Sequence, residues 1–310
     1  MSPRTHLILG ADGQDGWLLT ELLVRHGEQV VACVRSGLPD GRRPHPGADW
    51  QVLDITDTDA FGRLVRDHAA DVVHNLAAIS SVGESWTDPG STDEINHRAV
   101  VRMLDVVAEA PGRRFVQASS SEIFGPVANG VADEQTPLDP RSPYAESKAA
   151  AHRAVAAART RGVPATNLVL FGHTGPEHAP GFVIPTICRQ AVEVALGRRS
   201  CLELRDPTIR RDWGSARDFV RAFRLAADAP AGDYVIATGE LHELGEVAQW
   251  ALEAAGVDAE IRRAAGERPA DFGGVRGDAS RAARELGWRP ETPLRDEVRA
   301  MVAAYRSALA

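Results

Sequence analysis

The stretch His6-Leu-Ile-Leu-Gly-Ala-Asp-Gly-Gln-Asp-Gly16 joins a short apolar run to three closely spaced glycines. The apolar run predicts a buried strand, and the amphipathic pattern from about residue 14 to 26 predicts a helix directly after it. Glycines at 10, 13 and 16 let a ligand approach bare backbone at the positive end of that helix. A strand, a glycine-rich turn and a helix in this order indicate a dinucleotide-binding turn.

Strands and helices alternate along the rest of the first half. Further apolar runs predict strands at 29–34, 50–53, 72–75, 115–118 and 166–170, with helical segments between them. Such βαβ connections produce a parallel sheet with helices on both faces. We therefore predict an α/β protein with a Rossmann-type doubly wound parallel sheet in residues 1–170. A smaller C-terminal substrate-binding lobe is predicted at 171–310, with part of 210–240 returning to the sheet.

Composition limits the partners. The chain has 310 residues and a formal net charge of −8, which disfavours nucleic acid and anionic membranes as partners. No apolar run approaches the ~20 residues needed to span a bilayer, and the N-terminus shows no signal-peptide pattern. The three cysteines are far apart in sequence, which suits reduced thiols. We expect a cytoplasmic protein without a metal site.

A tyrosine and the only lysine of the chain share one helix face. The helix predicted at 142–161 places Tyr144 and Lys148 one turn apart. An ammonium at that distance favours phenolate, so we expect the pKa of Tyr144 to fall below its ordinary value of about 10. Such a tyrosine can take a proton from a sugar hydroxyl, held by Ser120, while hydride leaves the same carbon. The pattern predicts a nicotinamide-dependent enzyme.

The end of the second predicted strand bears on the choice of cofactor. Arg35 and Ser36 stand where an acidic residue would hold the 2′-hydroxyl of NAD. An arginine and a hydroxyl suit the 2′-phosphate of NADP instead. We therefore expect NADP, with NAD as the open alternative.

These motifs resemble the extended short-chain dehydrogenase/reductases (the NAD-dependent epimerase/dehydratase family), and among them most closely the GDP-mannose 4,6-dehydratases. The resemblance runs from Leu7 to about Pro290. It is carried by Gly10-Ala-Asp-Gly-Gln-Asp-Gly16, Asn75-Leu-Ala-Ala78, Gln117-Ala-Ser-Ser-Ser-Glu-Ile-Phe-Gly125, Pro140-Arg-Ser-Pro-Tyr-Ala-Glu-Ser-Lys148, Arg211-Asp-Trp-Gly214, Val235-Ile-Ala-Thr-Gly-Glu240 and Arg268-Pro269.

The resemblance assigns roles by position. It implies catalysis by Ser120, Glu122, Tyr144 and Lys148, with Glu122 as the base at C5 of the sugar. It implies cofactor binding by Gly10, Asp12, Gly13, Gln14, Asp15, Gly16, Arg35, Asp54, Ile55, Leu76, Ala78, Ser80, Tyr144, Lys148 and His173. It implies substrate binding by Ser80, Ser121, Glu122, Arg211 and Arg268, with the two arginines on the phosphates.

The resemblance implies a nucleotide-sugar 4,6-dehydratase, a lyase of deoxysugar biosynthesis. A tightly bound cofactor would oxidise C4 transiently, the C5 proton would be removed, and water would leave from C6. Two alternatives stay open. One is an NDP-sugar epimerase or 4-ketoreductase that uses Ser120, Tyr144 and Lys148 without elimination. The other, more remote, is a non-catalytic NADP-binding sensor.

Departures from the family pattern cluster where the sugar is recognised. The family has Asn-His-Glu-Ser-Pro-Arg-Arg where this chain has Gly172-His-Thr-Gly-Pro-Glu-His178, and the lost arginines usually help to bind cofactor phosphate. Ile79 and Ser81 replace polar residues beside the sugar. The loop after Arg35 lacks the family's second arginine, so its tetramer contact is not expected. A homodimer is expected instead, through the helices predicted at 92–108 and 142–161.

Overall fold

The computed structural model describes residues 3–38, 42–264 and 274–309. Across these ranges the strands are β1 (Thr5–Leu9), β2 (Gln29–Val34), β3 (Ala48–Val52), β4 (Val72–Asn75), β5 (Arg114–Ser120), β6 (Val131–Ala132), β7 (Ala165–Leu170), β8 (Gly172–Thr174), β9 (Leu202–Leu204), β10 (Arg210–Ser215), β11 (Asp233–Ile236), β12 (Leu241–Glu243), β13 (Ile261–Arg263) and β14 (Arg276–Gly277).

The helices, over the same ranges, are α1 (Gln14–Arg25), α2 (Thr58–Asp67), α3 (Val82–Thr87), α4 (Pro89–Asp93), α5 (Ala99–Ala108), α6 (Pro143–Thr160), α7 (Val183–Ala195), α8 (Ala216–Ala226), α9 (Leu244–Ala255), α10 (Ser280–Glu285) and α11 (Leu294–Leu309). A π-helical turn at Glu94–Arg98 joins α4 to α5, and a 3-10 turn at Ser121–Phe124 follows β5. No described helix is long and apolar enough to cross a membrane.

The main sheet has seven described strands in the order β11-β7-β5-β4-β1-β2-β3, and every neighbouring pair is parallel. From β1 the chain adds β2 and β3 on one side, then crosses over to β4 and the strands beyond it. The order therefore reverses between β1 and β4, and ligands of such sheets bind at the strand carboxyl ends beside that reversal. The predicted Rossmann-type sheet is confirmed.

Alternating side chains of β1 explain why helices cover both faces of the sheet. Ile8 packs into a core with residues of α1 and α8, whereas Leu7 and Leu9 pack into another with residues of α2, α5 and α6. All three side chains are fully buried. Because successive strand residues point to opposite faces, a continuous apolar run is what a sheet covered on both sides requires.

The second half of the chain builds a third core and also returns to the sheet. Residues of α7, α9 and α11, including Ile187, Val247 and Met301, form that third core. Between them, α8 packs on α1 and β11 extends the main sheet beside β7. In a separate three-stranded sheet, β10 pairs parallel with β8 and antiparallel with β12. The domain boundaries at 170 and 171 stay a prediction.

Candidate active site

The turn between β1 and α1 forms a cradle that only glycine can build. A Cβ on Gly16 would lie 2.2 Å from the Gly10 carbonyl oxygen, and a Cβ on Gly10, whose φ is +77°, would lie 2.9 Å from backbone atoms of Ala77. A Cβ on Gly13 would meet only the Gly10 oxygen, at 3.4 Å, so space is open above it. No described side chain caps α1, whose first N–H groups can therefore bind an anion.

A polar atom without a partner also marks this turn as a ligand site. Gln14 Oε1 is buried and accepts no hydrogen bond from the described residues. The other side-chain atom of this amide, Nε2, donates to Asp15 Oδ1 at 3.1 Å. A buried acceptor without a donor is costly unless a ligand or water satisfies it. The open cradle and this acceptor both fit a dinucleotide with its ribose hydroxyls.

A cavity of about 920 Å³ extends from the cradle along the carboxyl ends of the strands to the second half of the chain. All of the predicted cofactor residues lie on its wall. They are Gly10, Asp12, Gly13, Gln14, Asp15, Gly16, Arg35, Asp54, Ile55, Leu76, Ala78, Ser80, Tyr144, Lys148 and His173. The predicted substrate residues Ser80, Ser121, Glu122 and Arg211 line it as well, whereas Arg268 lies outside the described residues. The structure thus brings these residues together, and their individual roles stay predictions.

Ser120 and Tyr144 both line this cavity. Ser120 is the last residue of β5, and its side chain lies close enough to Tyr144 to influence the pKa of the phenol. Tyr144 stands in the first turn of α6, which Ser142 begins by accepting a hydrogen bond from the Ala145 amide at 3.1 Å. The Tyr144 amide itself donates to Ser85 Oγ at 3.1 Å. The hydroxyl pair is therefore fixed by the ends of two regular elements.

Lys148 does not lower the pKa of Tyr144 as the sequence predicted. Burial raises the pKa of Tyr144 to about 12; the nearby Ser120 side chain opposes this shift, and the charge of Glu122 adds to it. Burial also lowers the pKa of Lys148 to about 8. The Lys148 ammonium donates to the Ala118 carbonyl at 2.5 Å. The prediction is wrong for this structure because desolvation of the phenolate outweighs a cation that bonds elsewhere.

His173 connects the second half of the chain to the glycine turn. Its Nε2 lies 2.8 Å from Asp15 Oδ2, and its Nδ1 lies 2.8 Å from the Phe171 carbonyl oxygen. Burial alone would lower the pKa of His173, but the charge and hydrogen bond of Asp15, with the Phe171 carbonyl, raise it above the ordinary value. The ring also stacks on Phe219. A charged pair thus fastens β8 to the start of α1.

The segment 172–178 brings no arginine to the cavity. Glu177 forms an ion pair with Arg217 of α8. His178 lines the cavity, lies 3.1 Å from Thr174 Oγ1 and contacts the ring of Phe182. Burial, with the nearby charge of His173, lowers the pKa of His178 to about 4, so this ring is neutral at physiological pH. Two positions that carry cations in the family pattern therefore carry none here.

Asn96 supports the wall of the cavity, and the sequence reasoning missed it. Its Oδ1 accepts from the Ile79 amide at 2.8 Å, and its Nδ2 donates to the Ile79 carbonyl at 3.0 Å and to Ser147 Oγ at 3.1 Å. Ile79 lines the cavity, and Ser147 precedes Lys148 on α6. Asn96 lies in the π-helical turn that breaks the single helix predicted at 92–108. The signal available in the sequence was a single amide residue, Asn96, on the apolar face of the predicted helix.

Comparison with known proteins agrees with this geometry. The family model described as GDP-mannose 4,6 dehydratase matches residues 7–301. The chain is 34% identical to a GDP-mannose 4,6-dehydratase of Sinorhizobium fredii (strain HH103), over 94% of each chain.

Two solved structures have the same fold. DesIV, a dTDP-glucose 4,6-dehydratase from Streptomyces venezuelae with NAD and TYD bound, superposes with a TM-score of 0.86 at 25% identity, covering 98% of this chain and 97% of its own. RMD from Pseudomonas aeruginosa, complexed with NADPH, gives 0.82 at 25% identity, covering 99% and 98%. The chain belongs to the GDP-mannose 4,6-dehydratase family, within the nicotinamide-dependent extended short-chain dehydrogenase/reductases.

Proposed function

We propose that this protein is a nucleotide-sugar 4,6-dehydratase that uses NADP. The observation that carries the proposal is the Glu122 carboxylate on the wall of the cavity that also holds the Ser120–Tyr144 pair. Elimination of water across C5 and C6 needs a base at C5 besides the tyrosine that acts at the 4-hydroxyl. A simple 4-epimerase needs only the tyrosine and no base at C5.

The chain's own residues divide the proton transfers. When bound, NADP would accept the hydride from C4 and return it to C6 after water has left, while a proton added at C5 completes the reduction. Ser120 holds the 4-hydroxyl, and Tyr144 accepts its proton. The resulting ketone acidifies C5, from which Glu122 removes the proton and then protonates the hydroxyl that leaves C6. Tyr144 rests as a neutral phenol, so we expect the Lys148 ammonium to leave the Ala118 carbonyl when ligands bind and to stabilise the phenolate.

Arg35 supports NADP over NAD. It follows β2, lines the cavity, and is exposed at the position that contacts the adenosine ribose in this fold. The Pseudomonas relative that binds NADPH is consistent with this choice. On the substrate side, Arg211 lines the far end of the cavity and suits the diphosphate, while GDP-mannose is the substrate indicated by the family.

A homodimer in the cytoplasm is part of the same proposal. Val101 on α5 is 37% exposed and Trp86 on α3 is 61% exposed, although both side chains are apolar. A second copy that packed its own α5 and α6 against this face would cover Val101.

We also propose that the third core, formed by α7, α9 and α11, is the centre of the substrate-binding lobe.

One observation favours a 4-ketoreductase as the second candidate. A dehydratase returns its hydride within each cycle and can retain its cofactor, whereas a reductase must exchange the oxidised form for the reduced one. The neutral His178 and the Glu177–Arg217 pair leave the cofactor without two cations of the family pattern. Weaker retention of the cofactor would suit exchange.

The test is incubation with NADP+ and a panel of GDP-, UDP-, CDP-, dTDP- and ADP-sugars in heavy water, followed by mass spectrometry. A dehydratase converts one sugar with loss of water and incorporates deuterium at C5. Glu122→Gln should abolish this exchange, and Glu84→Gln, a carboxylate on the same cavity wall, is the matched control. Isomerisation at constant mass would instead indicate an epimerase, and NADPH consumption on a 4-keto sugar would indicate a reductase.

A further inference from the structure

The loop after β2 brings a second arginine to the glycine turn. Arg42 Nη1 donates to the Asp12 carbonyl at 2.6 Å, and the guanidinium carbon lies 4.3 Å from the centre of the Trp17 ring. Trp17 contacts Trp50 with ring centres 5.7 Å apart, and the Trp50 indole donates to the His45 carbonyl at 3.2 Å. These contacts hold the loop against the first turns of α1.

Arg35 lines the cavity beside the same glycine turn. The amides of Gly10 and Ala11 both donate to the Cys33 carbonyl, at 3.1 and 2.9 Å, so the glycine turn is bonded to the end of β2. Arg35 follows two residues after that carbonyl, and Asp12, which holds Arg42, follows directly after the two amides. Arg35 and Arg42 are therefore both attached to the start of the glycine turn, Arg35 through the strand end that bonds the turn and Arg42 through the carbonyl of Asp12, and both Arg35 and Asp12 line the cavity.

Both cations have unused bonding capacity. Within the part of the chain that the structure describes, no carboxylate lies within ion-pair distance of Arg35 or Arg42, although the charge of Arg35 helps to lower the pKa of nearby Asp54. Arg42 is half-buried and commits one of its five N–H donors to Asp12 and one face to Trp17. The remaining edge N–H groups match a phosphomonoester, which guanidinium forks bind as paired hydrogen bonds.

We infer that Arg42 is a specificity residue for the cofactor: together with Arg35 it binds the 2′-phosphate of NADP, and Trp17 sets the orientation of its guanidinium. The inference rests on the proposed function only in requiring a nicotinamide dinucleotide in the cradle. Arg42 would supply the second positive charge that this chain lacks directly after Arg35.

The test measures binding of NADP+ and NAD+ separately, by titration calorimetry without sugar. Arg42→Ala should weaken NADP+ binding by roughly ten- to a hundredfold, because charged hydrogen bonds are lost, and NAD+ binding by less than about twofold. Arg43→Ala is the matched control: Arg43 is the exposed neighbour, and the change removes the same charge. It should alter neither affinity. Arg42→Lys should give an intermediate loss, since it retains the charge without the fork.

Equal weakening of both nucleotides by Arg42→Ala would overturn the inference, because Arg42 would then only support the glycine turn. Unchanged NADP+ affinity, or no NADP+ binding by the unaltered protein, would overturn it too. If Arg42→Ala does not fold, Arg42→Lys takes its place: a loss of affinity for NADP+ alone supports the inference, and an equal loss for NADP+ and NAD+ overturns it. A protein that shows the predicted NADP+ discrimination yet dehydrates no sugar would refute the proposed function and leave this inference intact.

Discussion

Replacing Asn96 with leucine should destabilise the protein and disturb the cavity together. Leucine shares the branching of asparagine at Cγ but removes both hydrogen bonds to the Ile79 backbone and the bond to Ser147. Asn96 is 1% exposed, so leucine leaves the Ile79 amide and carbonyl without partners in a largely dry site. At about 1–2 kcal/mol for each backbone group, the free energy of unfolding should fall by about 2–4 kcal/mol.

Urea unfolding followed by tryptophan fluorescence measures this loss, and two variants that should lose less serve as comparisons. Ser147→Ala removes the third bond together with the bond from Ser147 Oγ to the Tyr144 carbonyl, and should cost about 1–2 kcal/mol. His97→Ala lies on the same turn but loses only a part-exposed pair with Asp93, so it should cost less than about 0.5 kcal/mol. Asn96→Leu that behaves like His97→Ala would refute the view that this amide fixes the cavity wall.

Three other measurements test Lys148, His6 and the glycine turn. Burial lowers the pKa of Lys148 to about 8, so kcat/KM should fall as pH rises above about 8 and the ammonium is lost; a profile flat to pH 10 would contradict its role. Burial lowers the pKa of His6, which contacts His74, to about 4, below the ordinary 6.5. Because the unfolded chain binds a proton there that the folded one does not, His6 should contribute a stability loss of about 3 kcal/mol between pH 6.5 and 4, and His6→Gln should remove that share. His74 and His178, whose pKa values burial also lowers, should keep the rest of the dependence. Gly16→Ala should prevent folding, whereas Gly13→Ala should fold and lose cofactor binding, measured by calorimetry, because only the latter Cβ points into open space.

Local spacing was enough to predict the parts of the site that lie close together in sequence. The glycine turn needs only a strand, three glycines and a helix, and Tyr144 and Lys148 share a face because they are four residues apart. The returning strand β11 was also visible as an apolar run, since a strand buried on both faces is apolar throughout.

Contacts between distant segments were beyond sequence reasoning. The bond that the Tyr144 amide donates to Ser85 spans 59 residues, and the bond that Asn96 donates to Ser147 spans 51. The predicted lowering of the Tyr144 pKa was wrong because spacing shows only which groups are near each other. It does not show where the Lys148 ammonium points or how deeply the phenol is buried. The position of Arg42 over Trp17 likewise depends on the path of a loop.

The most direct test of the central claim is a single turnover of Glu122→Gln with NADP+ and the accepted nucleotide sugar, followed by the near-ultraviolet absorbance of the reduced nicotinamide. Oxidation at C4 should proceed while elimination stalls, so reduced cofactor should accumulate, and adding Tyr144→Phe should abolish that signal. A Glu122→Gln enzyme that forms dehydrated product without accumulating reduced cofactor would contradict the assigned division of proton transfers.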